Sequence, residues 1–388
     1  MDNKNFLPLA IALLMFPQFA QTLYSPALAD FVQHFAVAPG LAAQTLTVYF
    51  LSFAFGVVGW GWLCDRSGRR VAMLLGLAVY AAATVIALCV TTFQGLLVAQ
   101  ALAAFGAAVG SVVTQTILRD RFSGAALIKV FSVVGMVLAL SPAIGLLSGA
   151  ALVHAFGYRG VLWCLLVLAA ALLAWSAGAL PETRCHIKTK VSVRETFQLL
   201  IRNTCVWKSA VLVTVFNVAM YGYYALGPFI FQQLGFDNSA YGASGILLAL
   251  GSSLGAWSSR IFSKAGVRAE NLLVFSAVLV LGGGIGVHAL LHSAWFIAPM
   301  MLVVFAFGVA IPHVLGKALY AFSDRLGTAG ALFGLMYYLM IGAGMLLTGW
   351  TQSLGGTLLV CGGVALLLSL RVRPECSASP VPLEKLDR

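Results

Sequence analysis

The chain has 388 residues, of which 61% are hydrophobic and only 9% charged, and its mean hydropathy is +0.97. A soluble domain would carry about a quarter charged residues, so a soluble enzyme is excluded and the net charge of +11 needs an explanation other than nucleic-acid binding. Apolar stretches of about 20 residues, each long enough to cross a bilayer as a helix, recur throughout and predict an all-α integral membrane protein.

In chain order these stretches predict twelve spans: 7–29, 41–63, 71–91, 93–118, 128–153, 159–180, 208–231, 241–260, 271–291, 295–319, 328–350 and 353–370. The first follows a lone Lys4 and runs through Tyr24 and Pro26 without a small-residue cleavage site, so it reads as a span and not as a removable signal segment. Six spans precede a basic segment and six follow it. The expected units are therefore an N-terminal six-helix half (1–180), a linker (181–207), a C-terminal six-helix half (208–371) and a polar tail (372–388). Gly255-Ala256-Trp257-Ser258-Ser259-Arg260 after span eight echoes Gly61-Trp62-Leu63-Cys64-Asp65-Arg66 after span two. Two halves of this kind, with a substrate path between them, are a known transporter plan.

With twelve spans, 22 of the 23 basic residues fall on one side, Arg159 alone lying on the other. Basic residues stay on the cytoplasmic side of an inserting chain, so both termini are expected in the cytoplasm. The charge balance thus records topology, and no nucleic-acid-reading motif accompanies it. The seven cysteines (64, 89, 164, 185, 205, 361, 376) lie in spans or on that same side, which argues against a disulfide framework. They lack metal-ligand spacing, so neither a metal site nor a cofactor is expected. Gly316-Lys317 has neither the upstream glycine nor the following hydroxyl of a phosphate loop, and an ATP-driven pump or other enzyme is not expected from this chain alone.

The loop between spans two and three, Gly61-Trp62-Leu63-Cys64-Asp65-Arg66-Ser67-Gly68-Arg69-Arg70, concentrates charge in a chain otherwise poor in it. It resembles the signature loop of the Major Facilitator Superfamily. Tyr24-Ser25-Pro26-Ala27-Leu28, Ile117-Leu118-Arg119-Asp120, Ser141-Pro142-Ala143-Ile144-Gly145 with Gly149, and Leu180-Pro181-Glu182-Thr183 are similar to motifs of its twelve-span drug/proton antiporter branch, of bicyclomycin/chloramphenicol-resistance type. The resemblance implies alternating access around a central cavity, and a monomer exchanging a small molecule for protons. It further implies a cytoplasmic latch of Asp65, Arg66, Gly68, Arg69, Arg70 and Asp120, in which Asp65 faces the start of span eleven near Gly327-Thr328 and Arg66 or Arg70 pairs with Asp120. Pro142, Gly145 and Gly149 would bend span five and let it seal the cavity against its counterpart in the other half. A topology anchor for the loop, and plain helix packing for span five, remain alternative readings.

Polar residues inside spans are costly and so informative. Gln18, Gln21 and Thr22, with Tyr24, lie in span one; Gln44 in span two; Gln100 and Gln115 in span four; Asn217, Tyr221 and Tyr224 in span seven; Tyr337 in span eleven. Together they are expected to line an aromatic, amide-rich cavity for an amphipathic organic molecule, although each alone reads more readily as a helix-contact residue than as a ligand group. His313 and Lys317, one turn apart in span ten, either face that cavity and favour an anion, or leave Lys317 reaching back to the headgroups. The antiporter branch carries an acid on span one where this chain has Thr22, and an arginine early in span four where it has Gln100. Asp30, Asp120 and His313 are the remaining proton-coupling candidates. The leading reading is proton-coupled efflux of amphipathic compounds. The alternatives are a dedicated transporter of one metabolite, such as an anionic siderophore, a nucleoside or an amino-acid derivative, possibly without proton coupling, and a membrane sensor or scaffold.

Overall fold

Once the chain is in lipid, each backbone N–H and C=O has to be satisfied within its own segment, and long apolar stretches therefore become helices. In the computed structural model, which describes residues 3–183 and 192–370, nine helices are long and apolar enough to cross a membrane. Three further spans escape that count for physical reasons. The helical tract Gly124–Ala179 holds spans five and six, divided at Gly157 (φ 64°, ψ −168°). Asn238–Lys264 has the length, at 27 residues, but its serines and glycines dilute its apolar content. Leu354–Leu370 has only 17 residues. The helices thus form the all-α, twelve-span architecture, with two six-helix halves.

Span one is Asn3–Tyr24, continued through a 3-10 turn at Ser25–Ala27 into Leu28–Phe35. Spans two to four are Pro39–Ser67, Arg69–Cys89 and Phe93–Arg121. Spans seven to eleven are Thr204–Gln233, Asn238–Lys264, Ala269–Leu290, Ile297–Ala318 and Leu326–Thr351. Polar residues punctuate the turns. Thr92 Oγ1 accepts the Gly95 N–H at 3.2 Å, Asn203 Oδ1 accepts those of Cys205 and Val206 at 2.9 and 3.2 Å, and Asp237 Oδ1 accepts that of Ala240 at 3.1 Å. Each satisfies donors that the first helical turn leaves orphaned. The segment read as a linker contains the ten-residue helix Val193–Arg202, whose Thr196 and Leu200 are buried as it packs on spans seven and eleven. Among the described cysteines, Cys64, Cys89, Cys164 and Cys361 are free thiols, whereas Cys205 is disulfide-bonded, a departure from the cysteine reading of the sequence.

The helix ends carrying Arg66, Arg69, Arg119, Arg121, Arg260, Lys264 and Lys317 lie together at one face, the basic face. At the opposite face the two halves are tightly joined. Ser25 Oγ donates to the Tyr224 carbonyl at 2.6 Å and accepts from the Tyr241 hydroxyl at 2.6 Å, tying span one to spans seven and eight. Span five meets span eight where a Cβ on Gly242 would come within 2.5 Å of the Ala150 Cβ. Span two meets span eleven where a Cβ on Gly342 would come within 2.5 Å of Leu51. Small residues permit such close approach, and the halves separate only toward the basic face.

Candidate functional site

The charged loop turns span two into span three at Gly68, whose φ of 103° and ψ of 160° favour glycine. A Cβ there would also overlap the Glu182 carboxylate. That carboxylate accepts the N–H groups of Arg69 at 2.9 Å and Arg70 at 3.2 Å, and so places a negative charge on the first turn of span three. Arg69 Nε donates to Asp120 Oδ2 at 2.9 Å, Thr183 Oγ1 donates to the same oxygen at 3.1 Å, and Arg69 Nη1 lies 3.6 Å from Asp65. Asp120 is therefore held by Arg69, and neither Arg66 nor Arg70 takes the place the resemblance implied. Position makes the difference: Arg66 ends span two and lays its guanidinium 5.3 Å from the Trp62 ring centre, while Arg70 donates to the Ala177 carbonyl of span six. Asp65 is 78% exposed, and among the described residues it makes no hydrogen bond or ion pair with span eleven. The cluster joins spans two, three and four to the end of span six, all within the N-terminal half.

Between the halves lies a cavity of about 740 Å³, a size that suits a drug-like molecule. Its mouth is at the basic face, among Arg119, Leu319, Tyr320 and Gly327, and its inner end is at Val57, Tyr337 and Tyr338. At 1.5 Å per helical residue, the path from Gly327 to Tyr338 is about 16 Å deep, roughly half the hydrocarbon thickness. Two helical stripes face each other across it. Span four presents Ser111, Gln115, Thr116 and Arg119, and span eleven presents Gly327, Gly330, Ala331 and Gly334. Above the cavity an aromatic roof joins both halves: Phe50 to Tyr221 at 4.6 Å between ring centres, Phe53 to Tyr338 at 4.9 Å, and Tyr337 to Tyr338 at 4.4 Å.

Of the expected cavity residues, Gln115 and Tyr337 line this space. Thr22 is fully buried, bonded to the Gln18 and Phe19 carbonyls of its own helix at 3.0 and 3.2 Å. Gln21, Tyr24 and Tyr224 are buried in packing. Gln18, Gln44, Gln100, Asn217 and Tyr221 are half-buried away from the lining; Asn217 donates to its own helix at Val213 (2.7 Å), and Tyr221 belongs to the roof. His313 turns from the cavity onto span eight, with Nε2 3.0 Å from Ser263 Oγ and Nδ1 2.9 Å from the Val309 carbonyl. Lys317 is exposed next to the lining residue Gly316. Asp30 accepts the Tyr158 N–H at the start of span six, beside the break at Gly157. Arg119, Ser111, Thr116 and the span-eleven glycines were not foreseen as lining, though their three- and four-residue spacing marks one face of each helix.

In span five, Gly145 and Gly149 face span one of their own half, where a Cβ would overlap Thr22 Oγ1 and the Leu23 carbonyl respectively. The contact with span eight is made instead by Leu146 and Ala150, against Gly245 and Gly242. Pro142 is buried one turn before these contacts.

The model of the Major Facilitator Superfamily matches residues 10–345. The chain belongs to this superfamily. Among curated members it is 28% identical over 349 residues to an uncharacterized transporter of Rickettsia felis, covering 86% of each chain. It is 27% identical over 354 residues to multidrug resistance protein D of Escherichia coli, covering 89% of this chain and 88% of that one. The crystal structure of a D-xylose-proton symporter superposes with a TM-score of 0.80 at 11% identity, covering 97% of this chain and 99% of the symporter, a likeness of fold. As a Major Facilitator protein the chain is a membrane transporter and not an enzyme.

Proposed function

We propose that this protein exports small amphipathic organic compounds across the bacterial inner membrane, in exchange for protons, by alternating access. The observation that carries this reading is the cavity of about 740 Å³ between the two halves, open at the basic face and lined by both apolar and polar side chains. On this reading the basic face is cytoplasmic, and the cavity receives its cargo from the cytoplasm. The likeness to a multidrug resistance protein supports the direction and the cargo class. The exposed Asp65 belongs to the open-mouthed state. When the mouth closes, Asp65 reaches the positive N-terminal end of span eleven and the latch is complete.

Asp30, Asp120 and His313 are the candidates for the coupled proton, and His313 has the most favourable surroundings. Ser263 Oγ donates to the Ser259 carbonyl at 2.8 Å and thereby offers a lone pair to His313 Nε2, while the Val309 carbonyl accepts from Nδ1. The second reading, a carrier of one metabolite without proton coupling, is favoured by Thr22, whose hydroxyl is spent on its own helix at the position where the branch carries an acid. Purified protein in liposomes with an imposed pH gradient separates the two. Proton-coupled efflux predicts substrate movement driven by the gradient and its loss in His313→Gln; movement indifferent to the gradient establishes the facilitator.

A further inference from the structure

We infer that the cavity selects amphipathic organic anions, with Arg119 binding the carboxylate, sulfonate or phosphate group and the glycine face of span eleven receiving a flat apolar body. This rests on the proposed transport role of the cavity and names its cargo class.

Among the described residues lining the cavity, Arg119 is the one charged side chain and none is a carboxylate. The neighbouring Asp120 does not neutralise it, because Asp120 is already held by Arg69 at 2.9 Å and by Thr183 at 3.1 Å. Among the described residues Arg119 forms no ion pair or hydrogen bond of its own. A guanidinium presents five donors in a planar fork that matches an oxyanion. Above it on the same face of span four, Gln115 and Ser111 continue a ladder of neutral hydrogen-bonding groups, with Gln115 Nε2 3.4 Å from Ser111 Oγ. A cationic ligand entering this mouth would meet a positive charge, with no acid among the described lining residues to receive it. An anion is drawn in by the same field that the basic face creates.

The opposite wall explains the apolar half of the specificity. Gly327, Gly330, Ala331 and Gly334 form one stripe without bulky side chains, and the stripe ends at Tyr337 and Tyr338. A Cβ on Gly330 meets only the tip of Leu319, at 3.8 Å, and one on Gly327 meets nothing within 4 Å. An aromatic or alicyclic body thus has a smooth surface to lie on and two rings to stack against.

The test uses two fluorescent probes with the same aromatic body, dansylglycine (a carboxylate at neutral pH) and the dansyl derivative of ethylenediamine (an ammonium), titrated onto the purified full-length protein. The wild type is expected to bind the carboxylate about tenfold more tightly than the ammonium, the worth of a charge-assisted hydrogen bond. Arg119→Gln is expected to abolish that preference while Arg119→Lys retains most of it. Should Arg119→Gln fail to give monodisperse protein, Gly330→Glu places a carboxylate on the facing wall and is expected to invert the preference. A wild type that binds the ammonium as tightly as or more tightly than the carboxylate, or binds neither, overturns the inference, as does an Arg119→Gln protein with an unchanged preference. Binding is read without transport, so anion preference without gradient-driven efflux leaves this inference standing and removes the proposed antiport. Efflux of the ammonium probe does the reverse.

Discussion

The carboxylate of Glu182 occupies the space that a side chain on residue 68 would need, and this contact shows how much of the loop's chemistry lies outside the loop. Gly68 is required twice, by its φ of 103° and by that overlap. Gly68→Ala is expected to cost about 1–3 kcal/mol and to lower the melting temperature in detergent. In a Glu182→Ala background the steric part disappears and the backbone strain remains, so a double-mutant cycle should show coupling of about 1 kcal/mol; additive effects would mean that the two residues are not in contact. The sequence placed Gly68 in the charged loop and grouped Arg66, Arg69 and Arg70 there as one concentration of charge. It could not distribute the three: Arg69 and Arg70 take Asp120 and Ala177, which the packing of spans four and six brings to the loop, while Arg66 stays on Trp62 of its own helix.

At the scale of elements, span five illustrates the same division. Its proline and glycines are plain in the sequence, and so is the inference of close helix contact. The partner was expected in the other half, whereas Gly145 and Gly149 touch span one and the contact with span eight falls on Leu146 and Ala150. Gly145→Ala should therefore disturb the N-terminal half itself, reducing folded yield and costing about 1–3 kcal/mol through overpacking. Gly135→Ala, where a Cβ meets nothing within 4 Å, should be neutral or slightly stabilising, since alanine is the better helix former. Thr22→Ala should partly rescue Gly145→Ala by removing the hydroxyl that the new methyl meets. Size-exclusion yield and thermal unfolding read all three, and an unrescued double variant would place the strain elsewhere. His313 and Lys317 also share a face in sequence but serve different surroundings. The histidine lies against span eight, and the lysine, one turn nearer the basic face, is exposed.

At the scale of the whole molecule, the halves are joined at one face and parted at the other, so accessibility is asymmetric. With the basic face cytoplasmic, as proposed, Gly330→Cys in a background lacking the native cysteines should react with a membrane-impermeant maleimide in inside-out vesicles and not in right-side-out vesicles. Substrate that traps the protein with its mouth closed should slow that labelling. Equal labelling from both sides would contradict the seal formed by Ser25, Tyr224 and Tyr241 and by the close pairs of spans five with eight and two with eleven.

The sequence by itself determined the membrane-spanning, all-α class and the family, and it pointed to a topology with nearly every basic residue on one side. These properties are local: insertion responds to the apolar length of each segment and the charge beside it, and the family loop is contiguous. Only the tertiary structure decided which polar residues reach the cavity. A 3.6-residue period places Ser111, Gln115 and Arg119 on one face of span four, as it places Gln18 and Gln21 on neighbouring positions of span one. Whether such a face opens onto a void or closes against a neighbour depends on helices more than 200 residues away in the chain, such as span eleven with its glycines. Thr22 is buried under Gly145 of span five, and among the described residues Arg119 has no ion-pair partner at the mouth; neither outcome is a property of its own helix.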